Sequence, residues 1–469
     1  MSYYRNLRFT KKGRWATYPA DAELWHTDHT SRYFEDHFGL WREILAVCIV
    51  GKEKEEEQHM YVPESFVEKL HARIQELTAQ DPKGMEKLFI PFYASKEAAK
   101  REIPQINPPD LSKVSGGELA DIYLENRDQA HRIVIYDQFT WLAEDYWPPL
   151  MDEVLVGKMK LTKDSEEYNT VLFALIKPRE ISTTLEEKRE LIEETLKIQQ
   201  GARTVEVAAE RLAHDFGWMP VLAFGVPWNA ERYESELKDT LTRETSALER
   251  ELAELKNYTQ IRDRDIVGIV KKYDISPEDL QVFVDFGLAI DTRNEAEYVA
   301  SVAGFYLLPI YDEMVKRFKI SINELRTLLE DEMVACLRGE ADPRAVLKSK
   351  GRIIAWGLDG EKKERVNFSP GEGEEVFTYV ESQQKAGKAQ ATYLTRGITA
   401  NKGKARGKAR LVPNPSDNHK VKQGDILIAY STMVDNLPAM KNASAIVTES
   451  GGITCHAAVV SREFGIPCI

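Results

Sequence analysis

One histidine near the end of the chain, His456, is placed where it could act as a nucleophile. The apolar run 445–447 predicts a short buried strand, and Gly451-Gly452 predicts a turn after it. Residues 454–460 combine helix formers with an apolar stripe at i, i+3 and i+4 spacing, so we expect a helix whose first turn carries His456. The two glycines would let the backbone approach a ligand closely.

The start of a helix favours anions because its amide groups are unpaired and its dipole is positive there. The same field disfavours an imidazolium, so we expect the ring of His456 to be uncharged, and we expect it to be accessible. A neutral imidazole is a nucleophile, and a phosphoryl group attached to it would lie where the amides point. The alternative interpretation is a structural histidine that caps or packs the helix.

The stretch around His456 resembles the phosphohistidine domain, also called the mobile or swivelling domain, of the phosphoenolpyruvate-utilising enzymes. That family includes phosphoenolpyruvate synthase, pyruvate phosphate dikinase, enzyme I of the sugar phosphotransferase system and rifampicin phosphotransferase. The matching residues are Thr448, Gly451-Gly452, Thr454-Cys455-His456-Ala457-Ala458, Arg462-Glu463, Gly465-Ile466-Pro467 and, upstream, Gly397, Gly403, Gly407 and Gln423-Gly424-Asp425-Ile426-Leu427. The resemblance implies that His456 is a phosphoryl carrier.

The resemblance also implies roles for the neighbours of His456. Gly451 and Gly452 would supply the close backbone contact to the phosphate, and Thr454 and Cys455 would complete the phosphate loop. In dikinases of the family, the threonine two residues before the histidine can be a regulatory phosphorylation site. Thr454 is therefore a candidate for regulation.

Composition limits the other classes of function. A chain of 469 residues that is 43% hydrophobic can bury large cores, which predicts about two or three domains. A net charge of −13 without a dense basic block argues against nucleic acid and anionic membranes as partners. No apolar stretch reaches transmembrane length, and the N-terminus lacks a signal-peptide core. The chain has four cysteines, Cys48, Cys336, Cys455 and Cys468, and they lack CxxC spacing. This pattern predicts a reduced, cytoplasmic protein.

We predict a multidomain chain, with a mainly α-helical N-terminal region followed by a small β/β/α swivelling phosphohistidine domain. The predicted parts are an aromatic-rich helical subdomain (1–115), a long-helix acceptor or linker domain (116–350), a β-hairpin (351–373), a helix and hinge (374–392) and the phosphohistidine domain (393–469). A single long helix is expected over roughly 229–272, and the hinge in the small, polar stretch 385–392. Because the family continues for some tens of residues beyond Ile469, we expect the last domain to be truncated.

Two further sets of residues are candidates for binding a phosphoryl acceptor. The first resembles a Trp-Asp-His segment that opens the acceptor domain in some phosphotransferases of the superfamily: Trp25, Asp28, His29 and Arg32. The second, Asp291 and Arg293, lies in a stretch (286–321) that resembles helices of the acceptor or linker region in short phosphotransferases. A helix cap with a surface ion pair is the alternative for the second set. The histidines and aspartates near Trp25 match no closed zinc pattern, so we predict no metal site.

Phosphorylating a histidine requires a nucleotide or phosphoenolpyruvate site with magnesium and positive clamps. The sequence shows no Walker-type loop and no dinucleotide glycine motif, and nothing in it resembles the family's ATP-grasp module or phosphoenolpyruvate barrel. The resemblance therefore implies that Mg²⁺ and ATP bind to a separate ATP-grasp protein. The chain would be a phosphotransferase component of the phosphoenolpyruvate synthase or pyruvate, water dikinase type. His456 would carry the phosphoryl group from that partner to a small-molecule acceptor bound by the helical region.

Two alternatives stay open at this point. The chain could be a non-catalytic phosphocarrier or interaction protein whose helical part docks partners, or an inactive truncated remnant. The acceptor is also open among pyruvate, a phenol, an antibiotic hydroxyl and water, and the donor is open between ATP and phosphoenolpyruvate.

Overall fold

The computed structural model describes residues 14–19, 28–40, 44–49, 57–163, 165–221, 225–350, 353–359, 362–388, 397, 399–413, 415–432, 434–449, 451–453 and 455–469. Trp25, Thr454 and residues 389–392 of the predicted hinge lie outside the described residues, whereas residues 385–388 of that hinge form the end of a helix (Pro370–Lys388). The side chains of Asp28 and His29 lie outside them as well.

The secondary structure is dominated by helices. The strands are β1 (Arg14–Pro19), β2 (Ile44–Ile49), β3 (Glu57–Val62), β4 (Ile353–Asp359), β5 (Glu364–Asn367), β6 (Ala409–Leu411), β7 (Ile426–Ala429) and β8 (Ala445–Thr448). The first helices are α1 (Asp28–Phe38), α2 (Glu64–Gln80), α3 (Gly84–Ile106), α4 (Gly116–Ala143), α5 (Trp147–Asp152), α6 (Glu166–Leu175), α7 (Thr183–Gln199), α8 (Val205–Phe216) and α9 (Ala230–Thr240). The later helices are α10 (Thr245–Lys256), α11 (Tyr258–Tyr273), α12 (Pro277–Phe318), α13 (Ile322–Leu325), α14 (Glu330–Leu337), α15 (Pro343–Ser349), α16 (Pro370–Lys388), α17 (Leu437–Asn442) and α18 (His456–Phe464).

The prediction of a mainly helical chain with a small C-terminal sheet is confirmed, whereas the single helix predicted over 229–272 is wrong. Three helices, α9 to α11, occupy that stretch. The hydroxyl of Thr242 donates to the carbonyl of Asp239 (2.6 Å) after α9, and the side-chain amide of Asn257 donates to the carbonyl of Ala253 (2.7 Å) after α10. Such side chains compete with the helical backbone for hydrogen bonds and therefore favour helix ends.

The first of two compact units contains residues 1–79, 94–143 and 306–395. Its sheet has the strand order β1-β3-β2-β4-β5, with antiparallel neighbours throughout. The sequence predicted helices for 1–115 and did not predict these N-terminal strands, because β2 pairs with β4 from a distant part of the chain. All seven residues of β4 are buried, and the β4–β5 pair lies in the stretch where a hairpin was predicted.

The aromatic residues of α1 belong to the core of this first unit. The ring of Phe38 lies 4.3 Å from that of Phe139 on α4, and the ring of Phe34 lies 5.9 Å from that of Phe66 on α2 (centroid distances). Both α1 rings are buried, so this stretch stabilises the unit by apolar burial.

The second unit contains residues 80–93, 144–305 and 396–469. Strands β6, β7 and β8 form a parallel sheet in that order, accompanied by α17 and α18. The last residues run beside β8, since the amide of Ile446 donates to the carbonyl of Pro467 (2.9 Å) and that of Thr448 to the carbonyl of Ile469 (2.9 Å). The carboxyl end of β8 leads directly to the loop before α18.

The small parallel sheet shares one hydrophobic core with helices of the same unit. Buried members include Leu212 and Leu237 from the helices and Leu427, Met440 and Val460 from the sheet region. Closely packed apolar side chains exclude water from this junction, so the sheet region is docked on α7 to α9.

A buried ion-pair group reinforces the docking. The ammonium group of Lys441 on α17 lies 3.0 Å from a carboxylate oxygen of Glu187 on α7 and 3.5 Å from one of Glu236 on α9. Glu236 also pairs with Arg232 at 2.6 Å. Burial alone would raise the pKa of Glu236, but the charges of Lys441 and Arg232 hold it below its ordinary value.

Among the helices that the structure describes, none is both long enough and apolar enough to cross a bilayer.

Candidate functional site

His456 is the first residue of α18, behind the loop that follows β8. The backbone of Cys455 is extended (φ −68°, ψ 160°), and the helix starts immediately after it. The order of strand, glycine turn and helix that the sequence predicted is therefore present. It places His456 in the first turn of the helix, whose amides have no carbonyl partner within the helix.

Two glycines permit the close packing of this loop. Gly451 has φ +129°, and a Cβ atom there would lie 2.7 Å from the sulfur of Cys455. A Cβ atom on Gly452 would lie 3.2 Å from a carboxylate oxygen of Glu144, which precedes α5. Side chains at either position would push the loop away from its neighbours, so the glycines bring the backbone next to the Glu144 carboxylate.

The ring of His456 is buried, with only 6% of the residue exposed. Its Nδ1 lies 3.3 Å from the hydroxyl oxygen of Thr432, and its Nε2 is buried without a hydrogen-bond partner among the described residues. A proton on Nδ1 that is donated to Thr432 leaves the lone pair on Nε2, and this is the tautomer we assign. The expectation of an accessible ring is wrong for this conformation, because the docked core excludes water from the ring.

The electrostatic environment keeps this imidazole neutral. Burial, followed by the nearby positive charge of Arg293, lowers the pKa of His456 to about 4 from its ordinary value of 6.5. The Arg293 guanidinium on α12 pairs with the carboxylate of Glu144 at 3.2 Å. The site therefore joins an uncharged nitrogen lone pair to a cation that could stabilise a phosphoryl group.

Asp291, the neighbour of Arg293 among the sequence candidates, has a different environment. It is 3% exposed and accepts a hydrogen bond from the hydroxyl of Tyr93 (2.7 Å). Burial, with the charge of Asp291, raises the pKa of Tyr93, so this phenol stays protonated and keeps donating. The geometry favours a structural role for Asp291 and places only Arg293 of this pair near His456.

The N-terminal candidates belong to the first unit. Arg32 is an exposed residue of α1, and the backbone of Asp28 and His29 forms the start of the same helix. Trp25 is outside the described residues, so the role of this set stays a prediction.

Sequence reasoning missed two residues of the site, Thr432 and Glu144. Thr432 could have been found, because it follows β7, the neighbour of β8, and carboxyl ends of adjacent parallel strands meet at one edge of a sheet. Glu144 carries no local signal, since it is far from His456 in the chain and only the fold brings it to Gly452.

Acidification is expected to destabilise the chain through His456. Between about pH 6.5 and about pH 4 the unfolded chain binds a proton on this ring that the folded chain does not bind. The contribution of the neutral ring to the free energy of unfolding is therefore fully present above that window and is lost as the pH drops through it. From about pH 7 to about pH 5, urea unfolding of the wild type should lose about 2 kcal/mol more than that of His456→Gln, which has no titrating ring. Equal losses in the two proteins would contradict the neutral, buried ring.

The described residues do not fit a magnesium–nucleotide site. Among these side chains, no three His, Cys, Asp or Glu residues converge where they could hold a metal ion. Residues 451–453 approach a carboxylate rather than the lysine that a phosphate-binding loop of a nucleotide site would use.

Comparison with known proteins assigns the C-terminal region to a family. Residues 421–469 match the family model described as "PEP-utilising enzyme, mobile domain". The chain is 37% identical over 126 residues to the probable phosphoenolpyruvate synthase of Archaeoglobus fulgidus, and 40% identical over 94 residues to that of Methanothermobacter thermautotrophicus. It is 48% identical over 80 residues to the phosphoenolpyruvate synthase of Pyrococcus furiosus. The predicted resemblance to the mobile phosphohistidine domain is thus confirmed.

These matches cover a small part of each protein. They span 26%, 20% and 17% of this chain and 16%, 14% and 10% of the three relatives, in the order given. The chain therefore contains a mobile domain of PEP-utilising enzymes and is distantly similar to phosphoenolpyruvate synthases over that region.

Proposed function

We propose that this chain is a component of a phosphotransferase of the phosphoenolpyruvate synthase type, with the phosphoryl group carried on His456. The observation that carries the proposal is the buried, uncharged ring at the start of α18, whose Nε2 has no hydrogen-bond partner among the described residues. A neutral ring with this nitrogen unbonded keeps a lone pair that can form a bond to phosphorus. The family match of residues 421–469 supports the same role.

The first half-reaction is a displacement at phosphorus. The Nε2 lone pair forms the N–P bond while the donor's P–O bond breaks, and the electron pair leaves on the donor oxygen. The proton on Nδ1 stays on the ring, held towards Thr432, which keeps the reacting nitrogen unprotonated. Once the phosphorylated domain has docked again, Arg293 can exchange its contact with Glu144 for the phosphoryl oxygens and offset their charge.

The second half-reaction reverses this chemistry on an acceptor. The oxygen of an acceptor hydroxyl attacks the phosphorus and releases its proton to solvent, the N–P bond breaks, and its electron pair returns to Nε2. The helical part of the second unit would bind the acceptor, since α12 already contributes Arg293 to the surroundings of the ring.

ATP and Mg²⁺ would be supplied by a separate ATP-grasp protein, as the resemblance to the phosphoenolpyruvate-utilising enzymes implies. Because His456 is buried against the helices when the domain is docked, the docked conformation would be the one that transfers the phosphoryl group to the acceptor. To reach the partner, the domain would separate from α7 to α9 on the polar hinge that the sequence predicts at 385–392.

The proposal is tested by incubating the full chain with labelled ATP, Mg²⁺ and a purified ATP-grasp protein from the same genome. The expected product is one equivalent of acid-labile, base-stable label on the chain, as for a phosphohistidine. Label that survives acid, or a chain that takes up no label, would overturn the proposal. A phosphocarrier without catalytic function would accept the label but would not pass it to any small-molecule hydroxyl.

A further inference from the structure

A cavity of about 690 Å³ lies within the second unit, between α6, α7, α10, α11, α12 and α18. This volume is in the range of pockets that hold small organic molecules, roughly 300–1,000 Å³. Much of its wall is apolar, with Leu185, Ile290 and Val459 all buried. The cavity could therefore hold the apolar body of a small ligand.

Two cations of the wall have no carboxylate partner. Lys177 and Arg462 make no ion pair with any described residue, and each lies instead against an aromatic ring of the wall. The ammonium group of Lys177 is 4.6 Å from the ring centroid of Tyr258, and the guanidinium carbon of Arg462 is 5.5 Å from that of Phe173. One guanidinium nitrogen of Arg462 is also buried without a hydrogen-bond partner in the described part of the chain. Half-buried cations without a carboxylate partner among the described residues favour an anionic ligand at this wall.

The acidic residues of the wall do not cancel this preference. Glu251 is occupied by Lys188 at 2.6 Å, and Asp265 pairs with Arg264 at 2.9 Å. Glu254 is exposed at the rim.

Glu463, the remaining acid of the wall, is only partly ionised at neutral pH. Burial raises its pKa to about 7, whereas burial lowers the pKa of Arg462 only to about 10, so the arginine stays charged at neutral pH. The charge of Arg462 is therefore only partly offset by Glu463, the acid next to it in the chain.

The cavity is adjacent to the environment of His456 along two helices. On α18, Val459 and Glu463 follow His456 by three and seven residues and so continue the same helix face. On α12, Ile290 in the wall precedes Arg293 by three residues. One ligand in the cavity could thus direct a reactive end towards the carrier histidine.

We propose that this cavity binds a small organic anion with an apolar body, whose carboxylate or phosphate group pairs with Arg462, with Lys177 as the second cation. Its use as the acceptor site of phosphotransfer rests on the function proposed above. The binding itself depends only on the cavity and its unpaired cations.

Isothermal titration calorimetry of the full chain tests the binding. Benzoate and phenylphosphonate serve as anionic probes with the same apolar body, and benzamide serves as the neutral probe. We expect saturable binding of at least one anion at millimolar concentration, roughly tenfold tighter than benzamide. Preference for benzoate would identify a carboxylate ligand, and preference for phenylphosphonate a phosphate ester. Benzamide binding as tightly as both anions, or no saturable binding of either anion, would overturn the proposal.

Variants assign the binding to the proposed cation. Arg462→Met is expected to weaken anion binding about tenfold, and Arg462→Lys, which keeps the charge, should retain part of it. Lys256→Met is the matched control, because Lys256 is 53% exposed, pairs with Glu193 and does not line the cavity. Unchanged anion affinity in Arg462→Met would refute the role of the guanidinium, and thermal unfolding of each variant establishes that it is folded.

His456→Ala separates this inference from the proposed function. The variant should bind the anion as the wild type does, because the ring is not part of the wall. A wild-type chain that binds the anion but takes up no label would refute the carrier function and leave the cavity proposal standing. A wild-type chain that is labelled but binds neither anion would refute the cavity proposal and leave the carrier function standing.

Discussion

Replacing His456 with alanine is expected to abolish phosphoryl transfer to the chain. The methyl group of alanine cannot form the N–P bond. Among the described residues of the loop after β8, no other side chain carries a nitrogen lone pair that could replace it. Label from ATP in the presence of the ATP-grasp partner should fall at least about a thousandfold, to background, because the loss removes the nucleophile itself. Mass spectrometry at neutral to basic pH would locate the phosphoryl group in the wild type.

His214→Ala is the matched control for this experiment. His214 lies on α8 with its side chain 88% exposed, and it is accessible to any non-specific phosphorylation of histidine. We expect wild-type labelling in this variant. Label that persists in His456→Ala but disappears in His214→Ala would place the carrier elsewhere and remove the proposed function.

Removing the ammonium group of Lys441 is expected to produce the largest loss of stability. In Lys441→Met, Glu187 keeps a side chain that is 0% exposed and loses its cation at 3.0 Å. Breaking a buried ion pair from one side leaves an uncompensated charge and costs about 3–5 kcal/mol. Urea unfolding should show this decrease, and hydrogen exchange should increase first in α17 and α18 because the docked sheet region separates from α7 and α9.

A second change should restore most of the loss. In Lys441→Met combined with Glu187→Gln, the buried carboxylate becomes a neutral amide, so no unpaired charge is left. Lys238→Met is the control, since Lys238 on α9 is 61% exposed and pairs with Glu234, and we expect an effect within about 0.5 kcal/mol. Equal losses for the Lys441 single and double variants would show that packing, and not charge, holds the sheet region on the helices.

The local parts of the structure were predictable from the sequence. The strand at 445–448, the glycine turn and the helix beginning at His456 each follow from neighbouring residues, through apolar spacing and turn chemistry. The helical character of the chain followed in the same way. The prediction failed over 229–272, where a continuous leucine stripe suggested one helix and the side chains of Thr242 and Asn257 support the helix ends.

Features that join distant segments were not predictable. β2 forms a strand because β4 pairs with it, and nothing within residues 44–49 reports that partner. The same reason explains Glu144, whose carboxylate lies at 3.2 Å from a Cβ position on Gly452. Single-chain patterns report local spacing, whereas these contacts depend on how whole elements pack.

The sequence by itself determined the local arrangement, a histidine behind two glycines at a helix start, because that arrangement is formed by a few consecutive residues. The tertiary structure alone decided that the ring of His456 is buried and neutral, that Arg293 stands near it and that unpaired cations line a cavity along α18. Burial and electrostatic fields are sums over residues from many segments. They exist only once the helices and the small sheet have packed together.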